Sequence, residues 1–410
     1  MGNGNTTMKD RMKGIGLQKL LAPIALVIVY LFFALFGRNF FSYTTLVNIL
    51  DSSYYIGFIA IGVTFVIITG GIDLSCGTIM MAAAIIGGTA FKTWGWPMWL
   101  SLLLILFIST AFGLFNGIMV ARLNLPPFIA TLGTMMISLG VGSIVSNVRS
   151  ATFPTRGADS GWFKSMFKFI TEDNTSFPTG ALMLFGTAFI AYIILTRTKM
   201  GRYIFAIGSN KEAARLSGVD VAKWQMMAYV ISGFLAGVGG IAFAAVYTTV
   251  MPAQGQGFEL YAIAGAVIGG TSLSGGVGSI FGTLIGVYIM SVLRAGLPSM
   301  DLPAHYQTFF TGVVVIGAVL LDMYRNKAAS EVRILTPADA YKESALKALE
   351  ELKATLSQTS DPGRQSALKQ EIDKKKAEVK TTYDRMKREG KAERARLAAE
   401  EKAFVQKHEK

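Results

Sequence analysis

Runs of about 17–24 apolar residues with almost no charge, each long enough to cross a hydrocarbon core of roughly 30 Å, follow one another along most of the chain. Backbone groups inside a bilayer must find partners within the protein, so such runs are read as helices. The fold class is therefore all-α: a polytopic membrane protein with about ten transmembrane helices, some of them broken. Apolar residues make up 52 % of the chain, and their gathering into runs, not their total, decides the class. The spans are expected near residues 20–36, 54–69, 78–91, 99–121, 127–145, 180–195, 226–250, 259–270, 277–293 and 306–321. The 44 glycines suit helices that pack closely through small residues.

The formal net charge of +13 falls largely in loops and in the C-terminal tail. That is the bias of segments facing the cytosol, and it is not read as a nucleic-acid footprint. Lys9, Arg11, Lys13 and Lys19 precede the first span, Arg122 follows the fourth, and Arg325 and Lys327 follow the tenth. Both termini are thus expected inside, and the polar stretch 147–179 outside. The first span is expected to be retained, and Met1-Gly2-Asn3-Gly4-Asn5-Thr6 fits a short myristoylation pattern that carries little weight. Cys76 is the only cysteine, and His305 and His408 lie far apart, so neither a disulfide nor a metal-ligand cluster is expected.

Between the sixth and seventh spans lies a basic loop with Arg197, Lys199, Arg202, Lys211, Arg215 and Lys223. Its centre, Asn210-Lys211-Glu212-Ala213-Ala214-Arg215, reads as a short helix opened by Asn210, with Glu212 in the positive first turn and Gly218 as the stop. Such a helix is a handle for a partner protein; the alternative is a solvated connector.

Two glycine-rich breaks resemble each other. Gly70-Gly71-Ile72-Asp73-Leu74-Ser75-Cys76-Gly77 and Gly269-Gly270-Thr271-Ser272-Leu273-Ser274-Gly275-Gly276 share G-G-x-[DS]-L-S-x-G. Broken helices of this kind line membrane pathways, and a weak internal repeat is expected, against chance likeness of glycine-rich turns. Gly71 and Gly270 are the glycines expected to resist side chains. Asp73 is an acid among apolar residues, either functional or a cap of the helix beginning near 78; the cap reading is favoured. Leu273-Ser274-Gly275-Gly276-Val277 looks like the signature peptide of an ATPase, but the chain has no phosphate loop, so nucleotide binding on this chain is rejected.

The tail, 329–410, is rich in Ala, Glu, Lys and Arg. Thr336-Pro337 reads as an N-cap, a leucine stripe runs through Leu346, Leu349, Leu352 and Leu356, and Asp361-Pro362 restarts the pattern. A cytosolic helical hairpin or coiled coil is expected, or else solvated helices without a partner. The domains are thus 1–328, a transmembrane domain, and 329–410, a charged helical tail.

The chain resembles the membrane permeases of bacterial ABC importers for monosaccharides, of the ribose, xylose and galactose/methylgalactoside type. The likeness runs from about Leu20 to Lys327. It rests on Gly71-Ile72-Asp73-Leu74-Ser75, Asn116-Gly117, Leu125-Pro126-Pro127-Phe128-Ile129-Ala130-Thr131-Leu132-Gly133, the loop from Gly201 to Val221, and the second break. The resemblance implies a homodimer in the inner membrane, a cytosolic ABC ATPase that holds the ATP and Mg, and a periplasmic or lipid-anchored sugar-binding protein. It makes Asn210–Arg215 with Gly218 the coupling segment. It makes Gly70, Gly71, Asp73, Ser75, Asn116, Gly269, Gly270, Ser272 and Ser274 the pathway and break residues. Two departures stand out: Tyr261 replaces an acid common after the Glu-Leu pair, here Glu259-Leu260, and most such permeases lack the tail. Related permeases serve nucleosides or autoinducer-2. Outside this class, an ion-coupled carrier needs coupling carboxylates, for which Asp73 is the strong candidate, and a membrane scaffold explains the tail but not the paired breaks.

Overall fold

The protein is described from a computed structural model covering residues 18–155, 157–171, 175–330, 337–358 and 362–408. The N-terminal basic residues Lys9, Arg11 and Lys13, the myristoylation pattern, Thr336 and Asp361 lie outside the described residues. The chain divides into two compact units, 1–326 and 327–410.

The first unit is built from helices. In chain order they are α1 (Gln18–Phe36), α2 (Tyr43–Ile68), α3 (Cys76–Lys92), α4 (Met98–Ala121), α5 (Pro127–Val145) and α6 (Gly180–Arg197). Then come α7 (Lys199–Ser209), α8 (Lys211–Leu216), α9 (Val221–Tyr247), α10 (Phe258–Ile268), α11 (Ile280–Ser299) and α12 (Ala304–Ser330). Seven of these are long and apolar enough to cross a membrane; α1, α3 and α10 are shorter apolar helices. Four two-residue strands form two antiparallel pairs, β1 (Ala151–Thr152) with β4 (Thr249–Val250), and β2 (Phe169–Ile170) with β3 (Ser176–Phe177).

α2 is the axis, with its whole apolar window buried by the surrounding helices. The sequence suggests a span from 54, because Asn48 and Asp51-Ser52-Ser53 interrupt the apolar run. The helix instead starts at Tyr43, with Ser42 as N-cap accepting from the Thr45 amide. Asn48 is exposed, and the buried Asp51, Ser52 and Ser53 are tolerated because each finds a partner. Lys168 Nζ reaches Asp51 at 2.6 Å, and the Ser52 and Ser53 hydroxyls donate to carbonyls three residues back.

Small residues set the packing around this axis, as van der Waals contact must where water does not drive helices together. A Cβ on Gly113 would lie 2.5 Å from the Tyr229 carbonyl, so α4 and α9 touch backbone to backbone. Gly265 of α10 and Gly269 just after it face Gly286 and Gly282 of α11 just as closely. α4, α5, α6 and α12 keep most of their apolar surface outward, as helices bordering lipid do.

The stretch 147–179 is not a plain polar loop but a folded cap. Asp159–Met166 forms a 3₁₀ helix, and Phe153, Phe163 and Phe167 are buried. The cap meets the start of α2 through Lys168, the end of α3 through Phe153 against Gly88, and the end of α9 through Lys164 Nζ on Thr248 Oγ1. The opposite end of the unit carries α7 and α8.

In the second unit α13 (Pro337–Gln358) packs against α14 (Pro362–His408). Leu349 and Ile372 are buried, and Leu346 and Leu349 share a pocket with Val379 and Tyr383. Leu346 and Leu349 of the leucine stripe therefore face the second helix.

Candidate functional site

Both breaks begin with the same left-handed helix ending. After α2, the Gly70 amide donates to the Ile67 carbonyl at 2.9 Å and the Gly71 amide to Val66 at 3.2 Å. After α10, the Gly270 amide donates to Val267 and the Thr271 amide to Ala266, both at 2.9 Å. This pair of bonds needs φ > 0 at one residue, which is Gly70 (+78°) in the first break and Gly270 (+94°) in the second.

The repeat is therefore real as geometry but offset by one position from the sequence match. Gly70 corresponds to Gly270, not to Gly269. Gly71 does not have positive φ; a side chain there is resisted instead by the Tyr229 hydroxyl, 2.7 Å from where a Cβ would sit. Gly269 is needed for its contact with the Gly282 backbone. The breaks also leave differently. The first enters α3 at Cys76, whereas the second stays irregular until Ser279 caps α11, so the ninth span begins at Ile280 and not at 277.

A buried carboxylate holds each break. Asp73 Oδ1 accepts from the Ser75 amide (3.0 Å) and hydroxyl (2.6 Å), and its Oδ2 accepts from Ser232 Oγ of α9 (2.7 Å). Asn116 Nδ2 donates to Ser75 Oγ at 2.8 Å, tying in α4. Asp73 is thus not the N-cap of α3, a position taken by Ser75. It lies two residues earlier and fixes the turn that leads in. At the second break Asp322 of α12 accepts from the Leu273 amide (3.0 Å) and from Ser272 Oγ (3.3 Å), while the Ser274 amide donates to Ser272 Oγ. Sequence reasoning passed over Asp322 because it sits at the polar end of a span, where an acid needs no explanation.

The two breaks touch each other and the segment before α8. The Gly276 amide donates to the Ile68 carbonyl, the last residue of α2, at 2.9 Å. A Cβ on Gly275 would lie 2.9 Å from both the Gly70 nitrogen and the Gly208 carbonyl oxygen. One on Gly208 would overlap the Ile68 carbonyl and the Gly276 amide. Gly208 lies in the last turn of α7, an amphipathic helix that sequence reasoning merged into a loop; Gly201, Ile204 and Ile207, at three-residue spacing, form its buried face.

Two residues beyond Gly208, Asn210 Oδ1 caps α8 by accepting the Ala213 amide at 2.9 Å, and Gly218 (φ +81°) ends it. Ala214 is buried with Ile207 and Val221, so it anchors the helix and does not belong to its free face. Lys211, Glu212, Ala213 and Arg215 are exposed, and Glu212 pairs with Arg215 at 2.7 Å. Leu216 is 84 % exposed, an apolar knob that the reading by charge overlooked.

Elsewhere, Glu259 is buried beside Gly77, where the starts of α3 and α10 meet. Its Oε1 accepts the Gly257 amide at 2.9 Å. Tyr261, the departure from the acidic pattern, lays its ring near the Arg294 guanidinium, 5.7 Å from its centre. Among the described residues no three His, Cys, Asp or Glu side chains gather as metal ligands do.

Residues 45–319 match the family described as branched-chain amino acid transport system / permease component. Individual relatives carry sugar names. The galactose/methyl galactoside import permease protein MglC of Salmonella typhimurium is 37 % identical over 69 % of this chain and 88 % of its own length. The ribose import permease protein RbsC of Escherichia coli K12 is 36 % identical over 73 % and 92 %. The fructose import permease protein FruG of Bifidobacterium longum is 32 % identical over 77 % and 94 %. No solved structure matches the chain. The tail lies beyond the family match. With its spanning helices and two thirds of its length matched, this chain is a multi-pass membrane protein that belongs to that family of transport permease components.

Proposed function

We propose that the chain is the membrane subunit of a bacterial importer that moves a monosaccharide of the ribose, fructose or galactose class inward, powered by ATP hydrolysed on a separate subunit. The observation that carries this reading is the meeting of Ile68, Gly208 and Gly276 two residues before Asn210, the N-cap of α8. A push on α8 is delivered, through backbone contact, to both broken helices at once. The relatives' sugar names support the solute class. Two copies would pair in the membrane, α8 would seat on the ATPase, and a binding protein would deliver the sugar at the cap end. In this reading the α8 end and both termini face the cytosol. Ion coupling through Asp73 is disfavoured, because both its oxygens are already committed to holding the first break.

The contact with the ATPase is expected to centre on the exposed face of α8. In proteoliposomes holding permease, ATPase and binding protein, ribose, fructose or galactose uptake should require ATP. Leu216→Asp and Ala213→Arg should each cut ATP-driven uptake at least tenfold while the permease still inserts. Uptake that ignores ATP would overturn the importer reading, and normal uptake in both variants would remove α8 from the coupling contact. Ala214 is unsuitable for this test, since a larger residue there disturbs the α7–α8 packing itself.

The tail, 329–410, is proposed to be a separate cytosolic body outside the solute path. A chain truncated at 328, supplied with excess partners, should insert and keep its solute preference. A changed preference in that assay would place the tail in the pathway.

A further inference from the structure

Arg294 lies near the cap end of α11, two residues before Gly296, which packs on Phe33 of α1. Its guanidinium carbon is 5.4 Å from the ring centre of Phe258, 5.6 Å from that of Tyr55 and 5.7 Å from that of Tyr261. Tyr55 stands one helical turn from Asp51, where Lys168 of the cap reaches in, so this aromatic box lies one turn inside the cap. Arg294 Nη1 is buried and has no hydrogen-bond partner, and Arg294 joins no salt bridge among the described residues.

The box is open on one side. Tyr55 and Phe243 form its buried floor, with their rings 5.2 Å apart, and the Tyr247 ring lies tilted against Phe243 at 4.7 Å while remaining 43 % exposed. Phe258, Tyr261 and Arg294 are half-buried at the rim. Rings attract the guanidinium charge but do not satisfy its N–H donors. A half-open arginine at membrane depth is among the most costly groups to leave facing hydrocarbon, so the opening is expected to face water, a partner surface or a solute.

We propose that the Arg294 box is a solute station on the cap side of the pathway, and that it takes an uncharged polyhydroxy ring. Arg294 donates to a pair of hydroxyl oxygens, while the C–H face of the ring lies on Tyr261 and Phe258. Three ring faces surround a single cation, and Glu259, next to Phe258 on α10, is turned to the Gly257 amide and adds no donor to the box, so the lining matches the C–H faces and hydroxyls of a neutral ring. The proposal rests on the importer reading above.

The test uses the complete transporter in proteoliposomes. If the unmodified chain imports none of ribose, fructose and galactose, the importer reading fails before the station is probed. If it imports one, Arg294→Met should lower uptake of that sugar at least tenfold, and Tyr261→Ala should lower it severalfold. A second measurement covers the case in which Arg294→Met folds poorly. Tyr247→Cys, in a Cys76→Ser background, is labelled with a membrane-impermeant maleimide. The imported sugar at millimolar concentration should slow labelling, and adding Tyr261→Ala should abolish that protection. Uptake and protection unchanged by the substitutions would overturn the station. Better protection by the matching sugar acid than by the neutral sugar would overturn the uncharged class.

Discussion

Gly208→Val is expected to abolish transport and to lower sharply the amount of folded permease. The position has no room for a Cβ: the Ile68 carbonyl and the Gly276 amide already occupy that space, and both are backbone atoms that no rotamer change can move. Overpacking usually costs about 1–3 kcal/mol, and a site closed in by backbone belongs at or above the top of that range. The substitution would also part the seam through which α8 reaches both breaks. Gly133→Val on α5 is the control, since nothing lies within 4 Å of that position, and it should transport normally. Uptake and detergent melting temperature, measured for both variants, decide the matter. A Gly208→Val permease with wild-type melting and uptake would mean that the three segments do not meet.

Asp73→Leu should be nearly as damaging, by a different route. Three donors, the Ser75 amide, the Ser75 hydroxyl and the Ser232 hydroxyl, lose their acceptor in a buried place. Each buried donor left unsatisfied typically costs about 1–3 kcal/mol, so the loss should reach several kcal/mol. Asp73→Asn keeps one carbonyl oxygen for Ser75 and offers an amide to the Ser232 oxygen, so its loss should stay near 1–2 kcal/mol. Unfolding in mixed micelles ranks the pair. Equal losses for Leu and Asn would show that the carboxylate does something other than accept these bonds.

These two sites differ in how far the sequence announced them. Asp73 was conspicuous, because an acid in an apolar stretch must be explained, and even its habit of accepting a backbone amide was foreseeable. Its reach to Ser232, 159 residues away, was not, because such pairing is set by tertiary contact. Gly208 carried no signal of its own among 44 glycines. The apolar runs located the helices well, seven of them long enough to span a membrane, since a bilayer leaves the backbone little choice. They misplaced the start of α2, where polar residues are rescued by a lysine from the cap. The capped helix α8 was legible from Asn210 to Gly218, because both signals are local. The burial of Ala214 and the exposure of Leu216 depend on where α7 lies, and α7 itself was hidden by its short length. The likeness of the breaks was visible, but its register was set by where each helix ends, so a letter-for-letter match slipped by one.

The bond from the Gly276 amide to the Ile68 carbonyl also orders events during synthesis. The ribosome makes Ile68 long before Gly276, and at about 5–20 residues per second the intervening chain takes roughly 10–40 s to appear. Through that interval the closing end of α2 is in the bilayer with its last carbonyl still waiting for its mate. The first half of the protein therefore cannot finish its own turn, and the final lock is set only when the second half has been threaded in. A nascent chain arrested before α11 should remain unlocked at this seam and open to membrane proteases, whereas one arrested after α11 has been inserted should resist them.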